Sequence, residues 1–294
     1  MAVALGDPRG IGPEVVAKAL AGGGLGADIT AVGPDDQIAS LSVARRVGLG
    51  EWGPGDRDAI AAGRMAGRGV EEAVRLALAG EVDAIVTGPV HKQALHQAGY
   101  PYPGLTEMVS HLAGDVPGAM MLVTGRLRVV LVTTHLALRD VPAAITEERV
   151  LTVGRIALAG LRRWWGIAQP RLAVCALNPH AGEGGAFGDE DERVLRPAAA
   201  ALGAAGPIPA DTVFVRALRG EFDAVLAPYH DVGMTAVKVA GFGTGVNITL
   251  GLPFPRTAPD HGTALDIAGR GVADAGSMRA AIELAAQLAG RRPP

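Results

Sequence analysis

The chain has 294 residues, of which 49% are hydrophobic and 19% charged, and its formal net charge is −3. This balance excludes an intrinsically disordered chain, and the lack of a basic excess argues against nucleic-acid binding. No apolar run reaches the roughly 18 residues that a membrane-spanning helix needs, because Arg126 and Arg128 interrupt the best candidate at residues 119–133. The single cysteine, Cys175, lies in an apolar run, and no secretory signal is visible. We therefore expect a globular protein of the reducing cytoplasm, with no membrane partner.

Short apolar runs alternate with helical patterns along the whole chain. Buried strands are predicted at residues 2–5, 28–32, 82–86, 119–123, 129–133, 172–177, 224–227 and 246–250. Helices are predicted at residues 34–47, 146–165 and 192–202, and residues 71–79 are predicted to be the end of another helix. This alternation predicts an α/β fold in which strand ends gather at one edge of a largely parallel sheet.

Polar motifs follow several of these strands. The first strand leads into GDPRGIGPE, whose glycines and Pro13 suit a turn at a helix N-terminus. TGPVHK follows the strand at 82–86, where Thr87, Pro89 and Lys92 can line a site or form an ordinary loop. Thr106 lies where a helix begins and can simply cap it. Each motif alone is weak evidence for a site.

Three histidines occupy equivalent positions in the predicted fold. His135, His180 and His230 each come soon after an apolar strand, so the sheet would bring them to one edge. Neutral imidazole is a good ligand for zinc and other first-row divalent ions, and three protein ligands leave positions open for substrate. The pattern therefore predicts a catalytic metal site.

Other chemistry-bearing residues accompany the histidines. Asp231 can hold a histidine N–H in the correct tautomer; Asp211 can do the same or cap the helix that begins DTVF. Lys238, Asn247 and Arg256 supply two cations and an amide for a phosphate or carboxylate. The glycines and short polar residues of DHGTALDIAG suit close approach of the backbone to a second ligand.

These motifs together resemble one enzyme family. The segments LNPHAGEGGAFGDED, APYHDVGMTAVK, VNITLGLPFPRT and DHGTALDIAGRG, in this order, resemble the 4-hydroxythreonine-4-phosphate dehydrogenases of pyridoxal phosphate biosynthesis. The resemblance implies a homodimer of two-subdomain α/β/α chains, like the isopropylmalate and isocitrate dehydrogenases and unlike a Rossmann fold. It places residues 1–117 in a first subdomain and 118–249 in a second that carries the metal histidines, and returns 250–294 to the first.

The resemblance also implies roles for matching residues. The ligands of a divalent ion (zinc, magnesium, cobalt or manganese), contributed from both subunits, are His135, His180 and His230. The residues that support catalysis are Asp211, Asp231 and Lys238, and the substrate contacts are Thr106, Lys238, Asn247 and Arg256. The NAD-binding loop contains Asp260, His261, Gly262, Thr263 and Asp266.

The implied reaction oxidises a phosphorylated hydroxy acid. The metal lowers the pKa of the substrate hydroxyl as hydride leaves for NAD, and the resulting β-keto acid can lose carbon dioxide. Two positions depart from the family: Leu105 stands where it usually has histidine, and Val232 where it commonly has glutamine. The substrate is then 4-phosphohydroxythreonine or a relative such as phosphorylated threonate or erythronate.

Two other classes of protein could use the same residues. A metal-dependent hydrolase needs the three histidines to activate water, but it needs no dinucleotide loop such as DHGTALDIAG. A non-catalytic homologue could keep the metal and phosphate sites, and Leu105 is the residue that favours it. The dinucleotide loop favours the dehydrogenase.

Overall fold

The computed structural model describes residues 1–53 and 55–290. Its strands are β1 (Ala2–Ala4), β2 (Thr30–Gly33), β3 (Arg45–Gly48), β4 (Ile85–Thr87), β5 (Ala119–Thr124), β6 (Leu127–Leu131), β7 (Leu172–Cys175), β8 (Ala205–Ile208), β9 (Ala224–Ala227), β10 (Val246–Leu250) and β11 (Arg256–Pro259). Its α-helices are α1 (Gly12–Ala21), α2 (Asp35–Ile38), α3 (Ala59–Leu78), α4 (Lys92–Gln97), α5 (Leu105–Leu112), α6 (Val141–Ala144), α7 (Glu147–Trp165), α8 (Arg196–Leu202), α9 (Ala210–Leu218), α10 (His230–Ala240) and α11 (Gly276–Ala289). The α/β class is confirmed.

The chain divides into two compact units. Of the described residues, unit 1 contains Met1–Pro117 and the chain from Val246 to Gly290, and unit 2 contains Gly118–Gly245. Unit 2 ends at Gly245 and not at residue 249, because β10 pairs antiparallel with β11 and so belongs to the sheet of unit 1.

Unit 1 is built on strands in the order β3-β2-β1-β4-β11-β10. All its pairs are parallel except β10 with β11. Helix α3 packs against β1 and β2, and its N-terminus is capped by Asp58, which accepts hydrogen bonds from the N–H groups of Ile60 and Ala61. Helix α11 packs against β11 and β10. Fully buried side chains such as Ile85, Met108 and Phe254 form the core.

Unit 2 is built on strands in the order β5-β6-β9-β7-β8. Only β5 with β6 is antiparallel. Helix α7 begins at the Thr146 cap and ends at Gly166 in the left-handed conformation. Cys175 is fully buried, and burial raises the pKa of its thiol to about 12, so this cysteine is an inert core residue.

Two predicted helices differ from the structure. Residues 34–47 are not one helix: α2 has four residues, and β3 follows as an exposed edge strand paired in parallel with β2. The helix predicted at 192–202 begins one residue earlier with a π-helical turn, Asp191–Leu195, before α8. Across residues 1–53 and 55–290, no helix combines the length and apolar character needed to cross a membrane.

Candidate active site

Two of the predicted metal ligands lie side by side in unit 2. His135 comes four residues after β6, and His230 is the first residue of α10, just after β9. Because β6 and β9 are parallel neighbours, their ends bring the two rings to a centroid distance of 5.3 Å. His135 is exposed and His230 half-buried, so both are open to a ligand.

Asp231 fixes the orientation of His230. The Nδ1 of His230 lies 2.7 Å from the Asp231 Oδ1, and a carboxylate accepts a hydrogen bond from that nitrogen. With the proton on Nδ1, the Nε2 lone pair is available to a metal ion. The supporting role of Asp231 stays a prediction, and this contact is the one that such a role requires.

Lys238 lies on the same face of α10 as His230. A cavity of about 550 Å³ is lined by both residues and by Asp231. The spacing of eight residues corresponds to roughly two helical turns, which is why the ammonium and the imidazole face one space. Unit 2 therefore brings together a histidine pair, a carboxylate and a cation.

His180 lines a different pocket of unit 2 from His230. It follows β7 and lines a pocket of about 390 Å³ together with Asp211 and Tyr229. Within the described part of the chain, no three His, Cys, Asp or Glu side chains are grouped so as to hold a metal ion. One chain therefore presents a histidine pair at one place and His180 with Asp211 at another.

The backbone around His180 is unusual. His180 to Gly184 all have positive φ, including His180 at 54° and Ala181 at 57°. Left-handed conformations cost side-chain-bearing residues roughly 1–2 kcal/mol each, so neighbouring contacts must hold this loop.

Asp191 anchors the residues that lead into this loop. Its side chain is fully buried and accepts hydrogen bonds from the backbone N–H groups of Leu177 at 2.8 Å and Asn178 at 3.0 Å. The Nδ2 of Asn178 in turn donates to Glu190 at 2.8 Å. Asp191 was not predicted from the sequence, because its only signal is an acidic run at the end of a glycine-rich loop, which usually indicates a solvated surface.

Asp211 is not the cap of its helix. Pro209 is the N-cap of α9, and Asp211 lies in the first turn with its carboxylate exposed. The capping alternative is therefore wrong. Val232, one of the two departures from the family pattern, lines the same pocket as Asp211 and His180.

Arg256 is the buried cation of unit 1. It exposes 2% of its surface and donates hydrogen bonds to the hydroxyls of Thr87 and Thr249. Burial lowers the pKa of its guanidinium to about 10.

The residues of the TGPVHK motif lie in different surroundings. Thr87 contacts Arg256, a predicted substrate residue, whereas Lys92 begins α4 and is exposed. The Pro89 carbonyl accepts a hydrogen bond from the Asp7 backbone.

Two further predicted substrate contacts lie in unit 1. Thr106 is the second residue of α5, and Gly104 is the N-cap, so the prediction that Thr106 caps the helix is wrong. The Oδ1 of Asn247 on β10 is buried and accepts no hydrogen bond from residues 1–53 or 55–290. Asn247 therefore has an unused acceptor for a ligand.

Leu105, the first residue of α5, is partly buried and packs against the apolar core of unit 1.

The predicted cofactor loop contains a second unused polar atom. His261 turns its Nδ1 to the Gly262 carbonyl at 3.0 Å, and its buried Nε2 has no hydrogen-bond partner within the described chain. The Asp260 backbone N–H donates to the hydroxyl of Ser277 at 2.9 Å. The carbonyl of the buried Thr263 accepts a hydrogen bond from the Ile11 N–H at 2.9 Å. Asp266 is exposed.

Glycine supplies the conformations that let this loop wrap. Gly269 and Gly271 have φ values of 75° and 71°, as the wrapped backbone requires. Gly262 does not take the left-handed conformation; Ala264 does, at φ 42°.

Helix α1 clamps the end of the same loop. Lys18 donates to the carbonyls of Gly271 at 2.9 Å and Ala273 at 2.7 Å. Glu14, one turn earlier on α1, accepts from the Ala273 N–H at 2.9 Å and pairs with Lys18 at 2.8 Å. The clamp fixes the loop between residues 260 and 274 to the start of the chain.

The residues present fit a divalent ion and a nucleotide. Neutral imidazoles with ring centroids 5.3 Å apart, one of them oriented by a carboxylate, would be suitable ligands for a divalent ion. The orphaned Nε2 of His261 and the left-handed glycines suit a ligand that lies along the loop backbone.

Comparisons with known proteins identify the family of the chain. Residues 18–285 match the family model described as "Pyridoxal phosphate biosynthetic protein PdxA". The chain belongs to this family. The family resemblance predicted from the sequence motifs is thus confirmed.

Relatives within the family carry two substrate names. A 4-hydroxythreonine-4-phosphate dehydrogenase of Paracoccus denitrificans is 45% identical, with 98% of this chain and 97% of the relative covered. A D-threonate 4-phosphate dehydrogenase of Salmonella typhimurium is 43% identical, with 98% of each chain covered.

A solved structure in the family has the same fold. The crystal structure of 4-hydroxythreonine-4-phosphate dehydrogenase from Klebsiella pneumoniae matches with a TM-score of 0.86 and 42% identity, covering 98% of each chain. The family likeness therefore extends over nearly the whole chain.

Proposed function

We propose that this protein is an NAD-dependent, divalent-metal-dependent dehydrogenase of a phosphorylated hydroxy acid. Its substrate is 4-phosphohydroxythreonine or a close analogue such as phosphorylated threonate, and the 3-keto product loses carbon dioxide. The observation that carries the proposal is the His135–His230 pair in a family of dehydrogenases: His230 is oriented by Asp231 and lines a cavity together with Lys238.

The histidine pair and the residues of the cavity have different proposed roles in the reaction. A divalent ion held by the histidines would lower the pKa of the substrate hydroxyl and polarise the ketone formed from it. Lys238 and Asp231 are the groups that can exchange a proton with the substrate. Because the Asp231 carboxylate already accepts from His230, we assign proton transfer to Lys238.

The phosphate contacts are assigned to unit 1. Arg256 is a buried guanidinium with hydroxyl partners, and Asn247 and Thr106 add an amide and a hydroxyl. Arginine forms two parallel hydrogen bonds with phosphate more readily than lysine does.

A homodimer would complete the metal site. No three His, Cys, Asp or Glu side chains in residues 1–53 and 55–290 are grouped as metal ligands, and a second copy would bring His180 to the ion held by the histidine pair. An apolar face formed by α9 and α10 supports such pairing, since Val215, Leu218, Val239 and Phe242 are between 43% and 87% exposed. These helices also line an apolar groove of about 600 Å³. Exposed apolar surface of this kind marks interaction sites.

A second candidate substrate is favoured by Leu105. The relatives include both 4-hydroxythreonine-4-phosphate and D-threonate 4-phosphate dehydrogenases. This chain has Leu105 at the position where the family usually has a histidine, so it lacks that imidazole. Phosphorylated threonate has a neutral hydroxyl where the threonine derivative has a charged ammonium group. The two substrates therefore need different hydrogen-bonding partners in the site.

A substrate screen tests the proposal. Purified protein, freed of metal by chelation, is reloaded separately with zinc, magnesium, cobalt and manganese, and NADH formation is followed with phosphorylated hydroxy acids. We expect turnover that requires metal, NAD and the phosphate group of the substrate. Release of phosphate without NAD would identify a hydrolase. Binding without turnover under every condition would identify a non-catalytic homologue.

Asp266 should set the cofactor preference. A carboxylate near the adenosine ribose repels the extra phosphate of NADP, so the wild type should prefer NAD. Asp266→Ser removes a repulsion of about 1–2 kcal/mol and should raise kcat/KM for NADP roughly 10-fold. The measurement is initial velocity against each cofactor.

The matched control for Asp266 is Glu283→Gln. This change removes another exposed carboxylate of unit 1, on α11, and should leave the cofactor ratio unchanged. Equal wild-type efficiency with NAD and NADP would count against the role of Asp266.

A further inference from the structure

Arg256 is a buried cation that forms no ion pair with a carboxylate of the described residues. It begins β11, between β4 and β10, and exposes 2% of its surface. A buried guanidinium is normally paired with a carboxylate, because desolvation strongly disfavours an isolated charge. Among the described residues Arg256 forms no ion pair. The carboxylate of Glu107 acts on it without forming a hydrogen bond.

Two threonines from the flanking strands hold the guanidinium. The Thr87 hydroxyl at the end of β4 accepts from Nε at 3.1 Å and from Nη2 at 2.6 Å. The Thr249 hydroxyl on β10 accepts from Nη1 at 3.0 Å, and Thr249 lies directly opposite Arg256 in the strand register. Both threonines are buried, with 1% exposure each. The orientation of the planar group is therefore fixed from both sides.

The two threonines orient the charge without neutralising it. A hydroxyl oxygen is a neutral acceptor, whereas a carboxylate in its place would form an ion pair and cancel the charge. After these bonds, one N–H on Nη1 and one on Nη2 have no acceptor in residues 1–53 or 55–290. These two N–H groups are suited to the oxygens of an oxyanion.

We infer that Thr87 and Thr249 are positioning residues that fix Arg256 through neutral acceptors and so reserve its charge for the phosphate of the substrate. This inference rests on the proposed function, because it concerns the same phosphate site. It gives Thr87, at the strand end that carries TGPVHK, a defined role. The lowered pKa of Arg256, about 10, agrees with a buried cation that lacks a full counter-charge.

Binding of inorganic phosphate tests the inference without metal, NAD or turnover. The full chain is titrated with phosphate by calorimetry. Thr87→Val removes two hydrogen bonds with little change in volume, and we expect the phosphate Kd to rise roughly 10-fold or more. Thr249→Val removes one bond and should have a smaller effect. Thr87→Ser, which keeps the hydroxyl, should bind phosphate within about 3-fold of the wild type.

Thr257→Val is the matched control. Thr257 is a fully buried threonine on the same strand as Arg256, but its hydroxyl donates to the Ala281 carbonyl at 2.8 Å and not to the arginine. Its loss should lower thermal stability and leave phosphate affinity unchanged. In active enzyme, Thr87→Val should raise KM for the phosphorylated substrate more than it lowers kcat.

The outcomes separate the inference from the proposed function. Wild-type phosphate binding that depends on Thr87, without turnover of any hydroxy acid, would keep the inference and reject the dehydrogenase. The inference is overturned by unchanged phosphate affinity in both valine variants, by equal losses in Thr87→Val and Thr257→Val, or by a wild type that does not bind phosphate.

Discussion

A mixture of two inactive variants, His180→Ala and His230→Ala, is expected to recover dehydrogenase activity. Each variant alone should fall below about 1% of wild-type turnover, because loss of a metal ligand exceeds the 10- to 100-fold effect of losing an outer-shell partner. In a mixed dimer, one site would combine the intact histidine pair of one chain with the intact His180 of the other. Random pairing gives about half mixed dimers with one working site each, so activity should reach about a quarter of the wild type.

The matched control is a mixture of His135→Ala and His230→Ala. The ring centroids of these two histidines are 5.3 Å apart in the same chain, so both belong to the same half of a shared site. Each site of a mixed dimer would therefore still lack one ligand. We expect no recovery from this pair. The chains are mixed by co-expression or by refolding together, and circular dichroism checks that they fold, as expected for changes at exposed or half-buried side chains. Recovery in the control, or none with His180→Ala, would show that the site is not shared.

Leu105→His is expected to increase kcat/KM for 4-phosphohydroxythreonine by about 10- to 100-fold. The change restores a hydrogen-bond donor and, when the imidazole is protonated, a charge, together worth about 1.5–3 kcal/mol toward a charged ligand. In the structure Leu105 is the first residue of α5 and packs against the apolar core of unit 1. The wild type should therefore prefer a different phosphorylated hydroxy acid.

Leu112→His serves as the control for this prediction. Leu112 is the last residue of the same helix and also packs partly buried against that core, so its change tests the effect on stability alone. We expect a lower melting temperature and no gain in kcat/KM. Efficient wild-type turnover of 4-phosphohydroxythreonine that the histidine does not improve would show that Leu105 is neutral for specificity.

Hydrophobic patterns were sufficient to predict the elements that position the histidine pair. Strand β9 has the predicted bounds, and β6 lies at Leu127–Leu131, two residues before the predicted 129–133, because both are short apolar runs. The proximity of His135 and His230 follows from parallel pairing of the strands before them. Where position along a strand determines the location of a residue, sequence reasoning was reliable.

The contacts that complete the site depend on tertiary structure. The turn at His180 is left-handed, and Asp191 anchors the residues that lead into it, a contact that no local pattern specifies. The partners of Arg256 come from two strands, and Thr87 is 169 positions away in the chain. The edge strand β3 was read as helix because its exposed arginines do not show the alternation of a half-buried strand.

The strand order of unit 1 has a consequence for how the protein folds during synthesis. Strand β11 lies between β4 and β10, yet it is encoded after all of unit 2. The ribosome therefore releases a continuous segment that can form the whole sheet of unit 2 while unit 1 still lacks an interior strand. Until β11 emerges, β4 has an unpaired edge that other chains could join. A circular permutant that begins at Val246 would place β10, β11 and α11 directly before β1, and we expect it to fold with less aggregation.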